Sequence, residues 1–154
     1  MSIVPIFAEI RVFSRPRPQV HLGPVDTSCS FLICDLSLPD MPIIYASEPF
    51  CKMTGYTTNE VMGMNPRFMQ APLGWEVREY RDGDKRAKDC AKAMKKSLDG
   101  QRELQLSVVN FKKSGRSFVN LLTLVPVGWE NERCRYIVGF QAELDESSSS
   151  DDDA

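Results

Sequence analysis

Histidine is almost missing from this chain: His21 is the single instance among 154 residues. A metal centre or catalytic constellation built on imidazole therefore has little to draw on. Cysteine occurs at 29, 34, 51, 90 and 134, an odd count with no Cys-x-x-Cys spacing. A disulfide framework or zinc site is not expected, and reduced thiols are. The net charge of −2 supplies no long-range attraction for nucleic acid or an anionic membrane. No apolar run reaches the ~18 residues that a membrane span needs. Ile3, Val4, Ile6, Phe7, Ile10, Val12 and Phe13 make the first residues partly apolar. They lack the basic flank and the continuity of a secretory signal. The expected location is cytoplasmic, nuclear or both. There are no internal repeats, no nicotinamide-binding motif and no recognisable acid–base pair, so an enzyme is not expected.

What the chain does contain is 42% hydrophobic and 26% charged residues. That balance predicts one soluble globular domain with a core large enough to enclose a ligand. Three parts are expected: an arm over 1–28, a packed domain over 29–145, and an acidic tail over 146–154. Arg15-Pro16-Arg17-Pro18 and Leu22-Gly23-Pro24 keep the arm extended. Glu146-Ser-Ser-Ser-Ser-Asp-Asp-Asp-Ala154 has nothing apolar to bury.

Within the domain, Ser30–Leu36 and Ile43–Tyr45 read as short strands separated by Leu38-Pro39-Asp40. Glu48–Thr54 and Asn59–Met62 read as short helical turns around Gly55-Tyr56. A longer helix is predicted over about 84–98, because Ala87, Cys90, Ala91, Met94 and Leu98 recur at helical spacing. Asp84 suits its N-cap and Gly100 its stop. Lys85, Arg86, Lys88, Lys92, Lys95 and Lys96 lie on its other face. Glu103–Phe111 and Ser117–Val127 form a hairpin turning at Lys112–Arg116, and Cys134–Glu143 is a last strand. This order predicts an α+β domain: an antiparallel sheet with helices on one side.

Alternation along the strands exposes an anomaly. Leu104, Leu106, Val108 and Asn110 share one face, as do Phe118, Asn120, Leu122 and Leu124; Ile137, Gly139 and Gln141 do the same in the last strand. Three amides thus stand among apolar neighbours. They either pair with backbone or lie on a solvent face, or they line a ligand site. A buried unpaired amide costs about 1–3 kcal/mol, and an amide both donates and accepts. A ligand edge with alternating donors and acceptors would satisfy all three.

The octet Gly63-Met64-Asn65-Pro66-Arg67-Phe68-Met69-Gln70 resembles the flavin-binding signature Gly-x-Asn-Cys-Arg-Phe-Leu-Gln of LOV domains, the blue-light-sensing branch of the PAS fold. Val108-Val109-Asn110-Phe111, Phe118-Val119-Asn120-Leu121-Leu122-Thr123 and Gly139-Phe140-Gln141 follow in the family's order. So do Pro42-Ile43-Ile44-Tyr45-Ala46-Ser47 and Met53-Thr54-Gly55-Tyr56. The resemblance covers residues 14–145 and is to fungal LOV photoreceptors of the Vivid and White Collar type. Arg17–Cys29 looks like the N-terminal cap of that group.

The resemblance implies a single PAS/LOV domain with a five-stranded antiparallel sheet, helices on one face and a cap. It implies a flavin held by Asn65, Arg67, Met69, Gln70, Lys95, Asn110, Asn120, Leu122 and Gln141. Arg67 and Gln70 would hold phosphate and ribityl chain, the alternative being an exposed helix arginine. Lys95 would supply charge without bidentate geometry. The long Ala71–Gly83 connection resembles the fungal insertion that accommodates the adenine half of FAD, with FMN the alternative. Arg78 and Arg81 would face a pyrophosphate there. Trp75 or Tyr80 would pack on adenine or simply anchor the loop.

Pro66 stands where the family carries its photoreactive cysteine, and no thiol is available at that position. Met64 and Met69 are further departures, in place of Arg and Leu. If Asn65 caps a short helix, Pro66 fits its first turn, where a missing N–H is tolerated. The implied function is blue-light or redox sensing without the cysteinyl–flavin bond. It would run through photoreduction to a semiquinone, rearrangement of Gln141 and cap-dependent dimerisation, with Cys29 at the cap hinge. Partners would be a second copy or another LOV/PAS protein. Cys34 and Cys51 are replacement nucleophiles or, more simply, buried structural thiols. The alternative is a flavin-free, degenerate PAS interaction module.

Overall fold

A computed structural model describes residues 11, 12, 14, 15, 18–23, 28–128 and 133–145. Most of the apolar arm, its residues 24–27 and the acidic tail lie outside the described residues. Five strands form one antiparallel sheet: β1 (Ser30–Asp35), β2 (Ile43–Ala46), β3 (Leu104–Phe111), β4 (Ser117–Val127) and β5 (Tyr136–Glu143). Their spatial order is β2-β1-β5-β4-β3. Between β2 and β3 come α1 (Glu48–Thr54), α2 (Thr58–Val61), a 3-10 turn (Pro66–Gln70), α3 (Val77–Asp82) and α4 (Lys85–Gly100). The predicted α+β architecture is the observed one.

Period-two alternation sorts the sheet into two faces. On one, Leu32, Cys34 and Ile137 pack with Phe50, Tyr56, Val61 and Met69 from the helical segment. On the other, Ile33, Val125, Val127 and Val138 pack around Val12 of the arm. Val12 is only 1% exposed, so its part of the arm is docked against the sheet rather than projecting from it.

Local chemistry sets most boundaries. Ser47 caps α1 by accepting from Phe50 N, and Gly55 ends it at φ 83°. Thr57 and Glu60 form a reciprocal capping box on α2. The β3–β4 hairpin turns through Gly115 at φ 92°. Asp84 caps α4 as expected, accepting from Arg86 N and Ala87 N.

Two expectations are corrected. Gly100 is the last residue of α4, and the left-handed stop falls on Gln101, at φ 51°. The Gln101 side chain also accepts from Cys134 N at 3.1 Å, a tertiary anchor that a spacing rule does not contain. The 71–83 connection is not loop throughout, because Val77–Asp82 is helical. Its fixed point is aromatic: Trp75 stacks edge-on against Tyr80, and Tyr80 against Phe111 of β3. Those aromatics anchor the connection.

Candidate functional site

Between the helical segment and the sheet lies a cavity of about 430 Å³, within the size range of cofactor sites, about 300–1,000 Å³. Its floor is the predicted strand face: Val108 and Asn110 of β3, Asn120, Leu122 and Leu124 of β4, and Ile137, Gly139 and Gln141 of β5. Gly139 has only Leu124 and Leu122 side-chain carbons near its missing Cβ, so its small size keeps the floor open. Asn65, Pro66, Arg67, Met69 and Gln70 of the turn and Ala91, Met94, Lys95 and Leu98 of α4 form the walls.

At one end the three amides meet. Asn110, Asn120 and Gln141 are all buried, Asn120 completely. Asn120 Nδ2 donates to Asn110 Oδ1 at 2.9 Å and to Gln141 Oε1 at 3.4 Å. Asn110 Nδ2 donates in turn to Met69 O at 3.3 Å, tying β3 to the 3-10 turn. Asn120 Oδ1 is buried with no partner among the described residues. An orphaned acceptor of this kind costs about 1–3 kcal/mol and calls for a donor from the cavity.

The octet builds its wall by local rules. Asn65 is the N-cap of the turn, its side chain accepting from Arg67 N at 3.0 Å, and Pro66 occupies the first helical position. Proline is well suited there, since that N–H has no helical partner in any case. Pro66 thus lines the cavity with a pyrrolidine ring.

The expected cationic residues divide. Arg67, Arg81 and Lys95 reach the cavity wall. Arg78 is exposed and is not among the lining residues, because α3 turns it outward. No sequence signal pointed to the engagement of Arg67 by Asp40, 27 residues away, whose Oδ1 lies 2.8 Å from Nη1. Met41 also lines the cavity without any sequence signal, and of the two cysteines considered as replacement nucleophiles or structural thiols only Cys34 reaches its wall. Burial pushes the Cys34 thiol up to about 12, so at neutral pH it is a protonated, apolar-like wall. Cys51 lies outside the cavity wall, 3.6 Å from Thr58 Oγ1. None of the five cysteines, all of them among the described residues, forms a disulfide.

Outside the cavity, Glu103 clamps the arm. Its carboxylate accepts from Gln19 N at 2.7 Å and Val20 N at 2.8 Å and pairs with Arg15. Arg15 also donates to Val12 O and Val20 O. Cys29, at the end of the arm, has its carbonyl oxygen bonded by Ser47 Oγ at 3.0 Å. Among the described residues no helix is long and apolar enough to cross a membrane, and no cluster of metal-ligating side chains occurs.

A family model for the PAS domain matches residues 28–144. Blue light receptor lreA of Aspergillus flavus is 39% identical over 149 residues, 95% of this chain but 17% of that protein. White collar 1 protein of Neurospora crassa is 43% identical over 136 residues, 86% of this chain and 11% of that protein. The chain therefore spans less than a fifth of either relative. The light-state dimer of the fungal blue-light photoreceptor Vivid superposes with a TM-score of 0.79 at 42% identity, covering 93% of this chain and 95% of that one.

Proposed function

The chain belongs to the PAS domain family, in its fungal LOV branch, and we propose that it is a flavin-binding blue-light or redox sensor that works without a cysteine at the flavin. The observation that carries this reading is the buried amide cluster with its orphaned Asn120 Oδ1 at the end of a cavity of fitting size. A flavin presents alternating donors and acceptors along one edge, which is what Asn110, Asn120 and Gln141 can pair with. Met69 and Leu122 would pack on its ring, Gln70 and Asn65 would meet the ribityl chain, and Arg67, Arg81 and Lys95 its phosphates. FAD is the favoured form, FMN the alternative. Arg78 has no part at the site in its observed position.

When bound, a flavin supplies blue-light absorption and one-electron oxidising power. The chain's own residues decide the outcome of that excitation. Pro66 offers no thiol, and protonated Cys34 offers no thiolate, so the site favours electron transfer from an external reductant over bond formation to the protein. Gln141 is the residue placed to respond. It hydrogen-bonds Asn120 within the cavity, and in β5 it is paired with Ser30 of β1, immediately after Cys29. A reoriented Gln141 amide would thus act one residue from the hinge of the arm. Release of the arm would expose the sheet face that Val12 covers, to a second copy or another LOV/PAS protein, in the cytoplasm or nucleus.

An absorption spectrum of purified protein before and after blue light, with and without a thiol reductant, tests this. Flavin bands that bleach only when reductant is present support it. A colourless protein that takes up no added FAD or FMN would leave a flavin-free interaction module.

A further inference from the structure

The net charge of −2 conceals a separation of charge along the chain. On α4 stand six cations, Lys85, Arg86, Lys88, Lys92, Lys95 and Lys96, against the two carboxylates of Asp89 and Asp99. None of the six forms an ion pair among the described residues. Lys85, Lys88, Lys92 and Lys96 recur at helical spacing and are all exposed, on a stripe turned away from the cavity-lining Ala91, Met94 and Leu98. The opposite excess lies in residues 146–153, where Glu146, Asp151, Asp152 and Asp153 occur with no cation between them. The basic turn between β3 and β4 is already engaged: Lys112 and Arg116 pair with Glu143, and Lys113 pairs with Glu60.

We propose that the exposed basic stripe of α4 is a docking surface for the acidic residues 146–153 of the same chain. Position favours this occupant. Leu144 N donates to Val119 O, so the chain leaves the sheet beside β4. The other neighbour of β4 is β3, and α4 rests on β3, where Cys90 Sγ lies 3.7 Å from Ser107 O. Two strand spacings put β3 about 10 Å from β5. Residues 146–153 span about 26 Å when extended, enough to carry Asp151–Asp153 past β3 to the stripe. Each exposed ion pair is weak, about 0–1 kcal/mol. Tethering offsets that weakness, because it holds the carboxylates at a millimolar effective concentration beside their partners. A free acidic partner lacks that advantage. Once docked, the segment ties β5, which carries Gln141, to the helix that walls the cavity. The docking needs no ligand in the cavity and is independent of the flavin reading.

The test is carbodiimide cross-linking of the full chain at low concentration, mapped by mass spectrometry on a mixture of isotope-labelled and unlabelled chains. This reagent joins a carboxylate to an amine only where the two touch. The expected links join Glu146 or Asp151–Asp153 to Lys85, Lys88, Lys92 or Lys96 within one chain. They should fall severalfold in about 1 M salt, where the screening length is about 3 Å. Heparin, an anionic polymer that an uncovered stripe attracts, gives a second readout. Neutralising the segment by Glu146→Gln, Asp151→Asn, Asp152→Asn and Asp153→Asn should tighten heparin binding about three- to tenfold. Adding Lys85→Gln, Lys88→Gln and Lys92→Gln should abolish that gain; a gain that persists reflects net charge alone and overturns the proposal. Links that reach Lys112 and Lys113 as readily also overturn it, as does equal heparin binding by the native and neutralised chains. Links that join labelled to unlabelled chains place the segment on a second copy and overturn docking within one chain.

Discussion

Asn120 Nδ2 is shared between Asn110 Oδ1 and Gln141 Oε1, so one buried amide on β4 couples β3 to β5 at the end of the cavity. The coupling uses up the donor of Asn120 and leaves its buried acceptor without a partner among the described residues.

Replacement Asn120→Leu keeps the volume and removes the shared donor. Two buried acceptors, Asn110 Oδ1 and Gln141 Oε1, then lose a partner. The expected cost is about 1–3 kcal/mol in chemical denaturation, together with at least a severalfold loss of flavin retention. Unchanged stability and retention would show that the cluster is not a functional unit.

At the octet, Pro66→Cys should restore a thiol on the cavity wall. The variant is expected to acquire photobleaching that occurs without added reductant and recovers in darkness, whereas the native chain bleaches only with reductant. Its stability should change by less than about 1 kcal/mol, since the first helical position does not require proline. Time-resolved absorption with and without thiol distinguishes the two behaviours.

Cys34 gives a pH prediction. Its folded thiol is raised to about 12 by burial, against about 8.5 for an unfolded cysteine. The folded state therefore binds the proton more tightly. This contribution to stability is fully present below about pH 8.5 and is lost progressively as pH rises toward 12. Alkylation at neutral pH, followed by mass spectrometry, should label Cys34 far more slowly in the folded chain than in denaturant. Rapid labelling of Cys34 in the folded chain would contradict its placement.

Glu103→Ala should undock the arm. It removes the acceptor of Gln19 N and Val20 N and the partner of a largely buried Arg15. A cost of about 2–3 kcal/mol is expected. The functional expectation is faster proteolysis near residues 15–20 and more dimer in the dark, measured by limited digestion and light scattering. A variant that stays protected and monomeric would separate the clamp from signalling.

Acidification should weaken the β1 terminus. Burial raises the Asp35 carboxyl, but hydrogen bonds from Ser37 and the nearby Arg135 outweigh it and hold the group below the usual carboxylate range. Its contribution is present above the unfolded carboxylate pKa of about 3.9 and is lost as pH falls through the lower folded value. Asp35→Asn should flatten that part of the stability-against-pH curve.

Sequence alone determined the cavity floor. Strand alternation is a property of the extended backbone itself, so each of Asn110, Asn120 and Gln141 shares a face with the apolar neighbours of its own strand, and the registers of β3, β4 and β5 put those faces on one side of the sheet. The caps at Asn65 and Asp84 were legible for the same reason, because their partners lie two or three residues away. Only the tertiary structure decided that Arg81 rather than Arg78 reaches the cavity, that Tyr80 anchors on Phe111, that Asp40 takes Arg67, and that Glu103 clamps an arm 84 residues away. The stop at Gln101 belongs with these, since the anchor to Cys134 comes from across the fold. Each depends on where distant segments come to rest after the core has packed. No local periodicity encodes that placement; it is set by the free energy of the whole chain.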